Sequence, residues 1–255
     1  MNNILKITLA LMVSAAALAA GLYHFKTRAN VQPGHAVIAR DRSDSVLSDC
    51  GCTGALMKKA LDNPNIGRGS TVTVIAGGDE STADEPMLVG NFDAPTTRRV
   101  IEGRDATRRK EEALLADLKT KCEALPVTKR SPIALLIRRG LERLRQAGCN
   151  SAASGCAVWV QTDAEETAEL QLKRLLDGKL PNKHGTAMPL IDNHGIDVVF
   201  YGLSQTVGER EMADGRRHRF TRERDNRRAE RISDSWLSYF TDPGRVRFEP
   251  FCPTN

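Results

Sequence analysis

Asp41, Ser43 and Ser45 alternate in the stretch Asp41-Arg42-Ser43-Asp44-Ser45, directly after the apolar run Ala36-Val37-Ile38-Ala39. One carboxylate and two hydroxyls where a strand turns toward a helix outline a hard-cation site. Mg²⁺, and Mn²⁺ or Ca²⁺ after it, take carboxylate, hydroxyl and water oxygens in preference to sulfur or imidazole. The same residues also read as an Asx or Ser turn capping the next helix, so the motif gains meaning only when further oxygen ligands join it. Asp163 follows the run Ala157-Val158-Trp159-Val160-Gln161 much as Asp41 follows the first strand, and Ser131 precedes Pro132-Ile133 at the start of a helix. In an open parallel sheet the carboxyl ends of the strands share one edge, where ligands bind. Asp41, Ser43, Ser45, Ser131 and Asp163 are therefore the candidate metal ligands. No His or Glu is placed as a proton shuttle, since His184 and His194 fall in a loop. That favours a cation that bridges over one that drives hydrolysis, with a metal-dependent hydrolase ranking third.

The elements that must position these residues alternate between strand and helix after a Pro33-Gly34 break, which argues for an α/β domain with a largely parallel sheet. Strands are expected at His35 to Ala39, Thr71 to Ala76, Met87 to Phe92, Ala157 to Gln161, Ile196 to Gly202 and Val246 to Phe251; the second and third are expected to pair. Helices are expected at Ala55 to Leu61, Arg98 to Leu125, Ile133 to Arg145, Glu166 to Leu176 and Ile232 to Phe240. Ala113, Leu114, Leu118 and Cys122 form the inner stripe of the long one, and Pro132 suits a first helical turn. No repeat, low-complexity tract or Pro/Ser-rich linker interrupts the chain, so residues 33–255 read as one domain.

Residues 1–30 differ from the rest. The uncharged run from Ile7 to Phe25 lies between Lys6 and Lys26, approaching the roughly 20 residues that span a bilayer, while its alanines offer small-residue cleavage sites. A signal peptide or a single transmembrane anchor is expected, with the body outside the cytoplasm, inner-membrane anchored and facing the periplasm, or released after cleavage. The cysteines agree: all 6 lie beyond the apolar run, an even number suited to disulfides in an oxidising compartment. Cys149 and Cys156 bracket a short polar loop that a bridge would staple. The other four, Cys50, Cys52, Cys122 and Cys252, leave three pairings open. A zinc site on Cys50-x-Cys52 has tighter spacing than zinc ligand pairs use, and no thiol redox motif is present.

With its motif, its order of elements and its second aspartate after the central strand, the chain resembles the von Willebrand factor type A domain over roughly residues 35 to 252. The metal-ion-dependent adhesion site of that family combines an Asp-x-Ser-x-Ser motif, a Thr in a later loop and an Asp after the central strand. Asp41, Ser43 and Ser45 match the first, Ser131 stands at the Thr position with Thr128 as a rival, and Asp163 matches the last. Ala164 stands where a glycine often follows, and the Cys50/Cys52 pair where such domains run straight into helix. The resemblance implies a three-layer α/β/α, Rossmann-like domain. It also implies a non-catalytic role, in which a bound Mg²⁺ (or Mn²⁺ or Ca²⁺) bridges to an acidic side chain of a protein partner in an envelope adhesion or assembly complex. The alternative is a structural scaffold with a degenerate site.

The segment from Gly208 to Arg231 carries nine arginines among six acids and accounts for much of the net charge of +5. It is expected as a solvated helix laced with i,i+4 ion pairs. Its functional reading is an anion-binding surface for an acidic partner, lipid headgroups or nucleic acid, with position favouring an acidic protein. Nucleic acid ranks last, because Phe220 is the only aromatic platform in it.

Overall fold

The computed structural model describes residues 34–43, 46, 50–62, 70–77, 87–92, 104–149, 155–165, 190–193, 195–203, 205–211, 217–223 and 226–253. Residues 1–30, Ser45, the helix expected at Glu166 to Leu176, His184 and His194 lie outside them. Among the described residues no helix is long and apolar enough to cross a membrane. In chain order the elements are β1 (Ala36–Asp41), α1 (Gly51–Asp62), β2 (Ser70–Gly77), β3 (Leu88–Phe92), α2 (Arg104–Glu123) and α3 (Ile133–Gln146). β4 (Ala157–Gln161), β5 (Asp197–Tyr201), β6 (Gln205–Glu211), β7 (Arg217–Glu223), α4 (Asn226–Leu237), a 3-10 turn and β8 (Val246–Glu249) complete the series.

Six strands form one sheet in the order β3-β2-β1-β4-β5-β8. Only the β2/β3 pair in it is antiparallel. The chain builds outward from β1 on one side and then crosses to β4 on the other, so the strand order reverses between β1 and β4. The carboxyl ends of the two strands at such a reversal are the usual ligand position in these sheets. Strand alternation sorts the core onto two faces. Val37, Ala39, Val158, Val160, Val198 and Phe200 pack with α3 and α4. Ala36, Ile38, Val72, Val74, Trp159 and Val199 pack with α1 and, through Leu118, with α2. The mixed α/β sheet with helices on both faces is the expected fold class.

α3 is the helix closest to β1, and the fit is tight. A Cβ on Gly140 would lie 3.1 Å from Val158 and 3.4 Å from Val37, and one on Gly77 would lie 2.6 Å from Leu136. Glycine at both positions lets the helix approach the strands and sets its first turn above the end of β1. On the same face Trp236 of α4 packs on Phe200, ring centroids 5.1 Å apart, and Phe248 stacks on Phe200 at 4.9 Å. Such aromatic pairs contribute about 0.5–1.5 kcal/mol each beyond their buried area.

Three expectations need correction. The arginine-rich segment is not one solvated helix: β6 and β7 form an antiparallel hairpin, a separate two-stranded sheet, and α4 begins at Asn226, earlier than the expected Ile232. Alternating charge in Glu209-Arg210-Glu211 and Arg217-His218-Arg219 serves a strand as well as a helix, and Thr206-Val207 and Phe220-Thr221 tip it toward strand. The inner stripe of α2 runs through Leu114, Leu115, Leu118 and Cys122, leaving Ala113 exposed, because the helix meets the body mainly at its C-terminal half. Several ends also shift by a few residues, β8 stopping at Glu249 rather than Phe251.

All six cysteines are paired, as Cys50–Cys122, Cys52–Cys252 and Cys149–Cys156. The last is the expected staple, and the other two resolve the pairings left open. Together they fasten α1 to the end of α2 and to the C-terminal segment, and they mark a chain folded in an oxidising, non-cytoplasmic compartment.

Candidate metal centre

β1 ends in Asp41, whose side chain is almost wholly buried. Its Oδ1 accepts the backbone N–H of Ser43 at 2.9 Å, an Asx turn that swings the chain out of the strand. Its Oδ2 accepts two hydroxyls, from Ser131 at 2.6 Å and from Thr162 at 2.7 Å. These three residues come from distant parts of the chain, and each arrives for a physical reason. Thr162 follows β4, the parallel neighbour of β1, in register one step beyond the Arg40↔Gln161 pair. Ser131 arrives because the preceding loop is fastened to the turn after β1. The N–H of Thr128 donates to the Arg42 carbonyl at 2.9 Å, and Arg42 donates from Nε (3.0 Å) and Nη2 (2.6 Å) to the Pro126 carbonyl. α3 then starts at Ile133, over the glycine that faces Asp41 across β1 and β2.

Asp163 is buried next to Thr162. Its Oδ1 accepts the N–H of Glu165 at 3.0 Å, and the Thr162 hydroxyl oxygen accepts the N–H of Ala164 at 3.0 Å. Ala164 has φ +61°, the one non-glycine residue in the left-handed region among those described. That conformation costs a residue with a Cβ about 1–2 kcal/mol. It gives a conformational reason for a glycine at this position in the resembled family. Here two contacts from α4 hold the turn instead: Trp236 Nε1 donates to the Ala164 carbonyl at 2.9 Å, and Arg228 Nε pairs with Glu165 Oε1 at 2.7 Å.

Burial first, and the neighbouring charge of Asp163 second, raise the Asp41 carboxyl from its ordinary 3.8 to about 6; the bonds from Ser131, Ser43 and Thr162 oppose the rise. Two buried carboxylates that repel each other are a site that a cation would stabilise. The Thr162 hydroxyl gives its proton to Asp41 while its oxygen accepts the Ala164 N–H, which ties the loop after β4 to the end of β1. Among the described residues no three His, Cys, Asp or Glu side chains cluster as metal ligands. The donor set is two carboxylates with hydroxyls, which fits a hard cation and not zinc.

Of the five candidate ligands, Asp41, Ser43, Ser131 and Asp163 are buried at this one edge, and Ser45 lies outside the described residues. The rival Thr128 is turned away, its hydroxyl donating to the Arg130 carbonyl at 2.9 Å. Thr162 was not among the candidates although it contacts Asp41 directly. Its signal was a hydroxyl in the first position past a buried strand, beside the aspartate. His35, at the opposite end of β1, is engaged with Thr71 and plays no part here.

No protein-family model and no curated protein matches the chain. Among solved structures it is similar to the conserved hypothetical protein BatB from Bacteroides thetaiotaomicron, at 12% identity and a TM-score of 0.37, over 86% of this chain and 91% of that one.

Proposed function

We propose that the chain is a von Willebrand factor type A-like binding module that uses a divalent cation, Mg²⁺ before Mn²⁺ or Ca²⁺, to bridge to an acidic side chain of a protein partner. The observation that carries this reading is the pair of buried carboxylates, Asp41 and Asp163, at the carboxyl ends of adjacent parallel strands. The hydroxyls of Ser131 and Thr162 lie within hydrogen-bond reach of the first. Asp41, Ser43, Ser131, Asp163 and, through its position in the motif, Ser45 would hold the ion. When bound, it supplies a positive centre with an outer position open to a carboxylate. The chain's own residues hold and orient: the Asx turn at Asp41 holds the Ser43 backbone, and the contacts of Arg228 and Trp236 fix the loop of Asp163. The role is binding, not turnover. Residues 1–30 would keep the module in the cell envelope as an anchor, or deliver it there as a signal.

Calorimetric titration with Mg²⁺, Mn²⁺ and Ca²⁺ tests the ion. Heat is expected for the native chain and none for Asp41→Ala or Asp163→Ala. A folded native chain that takes up none of the three ions would instead support the scaffold reading.

A further inference from the structure

The β6/β7 hairpin begins three residues after Gly202, past the carboxyl end of β5, which lies at the same sheet edge as Asp41 and Asp163, and it leads on to α4. Its far foot leads directly toward the helix that contacts the loop of Asp163. α4 starts three residues after Glu223, and Arg228 in its first turn pairs with Glu165 at 2.7 Å. The register is Gln205↔Glu223, Thr206↔Arg222, Val207↔Thr221, Gly208↔Phe220, Glu209↔Arg219, Arg210↔His218 and Glu211↔Arg217. Two glutamates of β6 thus stand opposite two arginines of β7, while Arg222 stands opposite a threonine. The charge is divided unequally between the strands. β7 has three arginines and a histidine against one glutamate, and β6 has one arginine against two glutamates.

Among the described residues β7 has a single sheet neighbour, β6. A two-stranded ribbon is marginal by itself, and the outer edge of such a strand is a template for another. An added strand meets its neighbour's residues directly across, and opposite charges there are favourable. In this register the acids of β6 fall at the positions across from Arg217 and Arg219, and an acidic strand on the other side of β7 would fall across from the same arginines.

We infer that the outer edge of β7 is a docking site for an extended acidic segment of a protein partner, added as a third strand to the hairpin that springs from the sheet edge of Asp41 and Asp163. The inference rests on the proposed function only for placing both contacts on one partner. The hairpin has a readout of its own, independent of metal.

The test uses the full chain in a non-ionic detergent with excess chelator, so that loss of the cation site cannot affect the outcome. The probe is a fluorescent peptide of alternating glutamate and threonine, read by anisotropy and by hydrogen exchange across residues 217–223. Binding with slowed exchange in β7 is expected. The combined Arg217→Gln, Arg219→Gln and Arg222→Gln variant should bind about tenfold more weakly. A version of the peptide N-methylated at alternate amides, equal in charge but unable to pair as a strand, should fail to bind. Equal binding of the methylated peptide, or undiminished binding by a folded triple variant, overturns the inference. So does preference for phosphatidylglycerol-doped micelles or single-stranded RNA over the peptide. If Asp41→Ala removes metal binding while peptide binding in chelator persists, the two readings stand or fall separately.

Discussion

Replacing Asp41 with asparagine should stabilise the metal-free protein near neutral pH, although it removes a buried residue that makes three hydrogen bonds. The Asp41 carboxyl has its pKa raised to about 6 by burial and by Asp163, against 3.8 in the ordinary state. For an acid raised on folding, the native state binds more protons than the unfolded state between those two values. Stability therefore falls as pH rises through that window, and above it the ionised group costs on the order of 3 kcal/mol. Asparagine keeps the shape without the charge and relieves the repulsion with Asp163. Allowing for one imperfect hydrogen bond, the gain is roughly 1–3 kcal/mol, or about 2–12 °C in melting temperature for a domain of this size.

The assay is thermal unfolding in chelator from about pH 4 to about pH 7.5 for the native chain and for Asp41→Asn. The difference between the two curves matters more than either alone, because His35 works the other way. Burial lowers its pKa, and its Nδ1 accepts the Thr71 N–H at 3.2 Å, so its contribution is complete above the ordinary 6.5 and is lost as pH falls. The difference should be near zero at the acid end and grow to favour the asparagine variant by neutral pH. A variant that melts lower than the native chain throughout, or a difference independent of pH, would refute the reasoning.

Arg228→Met removes the guanidinium that pairs with the buried Glu165. With the guanidinium one-third exposed, the loss should be about 2 kcal/mol rather than the 3–5 of a fully buried pair, read by urea unfolding. Gly77→Ala places a methyl 2.6 Å from Leu136, and overpacking there should cost about 1–3 kcal/mol and weaken metal uptake by displacing Ser131, measured by denaturation and calorimetry together. Joint replacement of Cys52 and Cys252 by serine opens a bridge with a sequence separation of 200; a loss of about 2–4 kcal/mol is expected in denaturant unfolding.

The strands of the main sheet were legible because buried parallel strands read as near-continuous apolar or β-branched runs, as in Thr71 to Ala76 and Ala157 to Gln161. Asp41 and Asp163 could be placed together for the same reason: each ends such a run, and parallel strands bring their carboxyl ends to one edge. Ser131 was legible through Pro132, which marks a helix start. Thr162 was missed because attention to carboxylates overlooks the hydroxyl beside them. The hairpin was missed because dense charge erases the apolar period that separates helix from strand, leaving only the short Thr206-Val207 and Phe220-Thr221 signals. Two of the disulfide pairings depend on where α1, α2 and the C-terminal segment meet in space, and residue spacing does not encode that.

The central claim is that the Asp41/Asp163 edge binds a divalent cation in the native state. Thermal unfolding of the full chain at about pH 7.5, in chelator and with Mg²⁺ at about 100 times its dissociation constant, tests it most directly. A ligand that binds only the native state should then add about 2.7 kcal/mol, or roughly 5–11 °C. The prediction is that rise for the native chain and none for Asp41→Asn or Asp163→Ala. The same melting temperature with and without Mg²⁺, Mn²⁺ or Ca²⁺, or an equal rise in the variants, would contradict it.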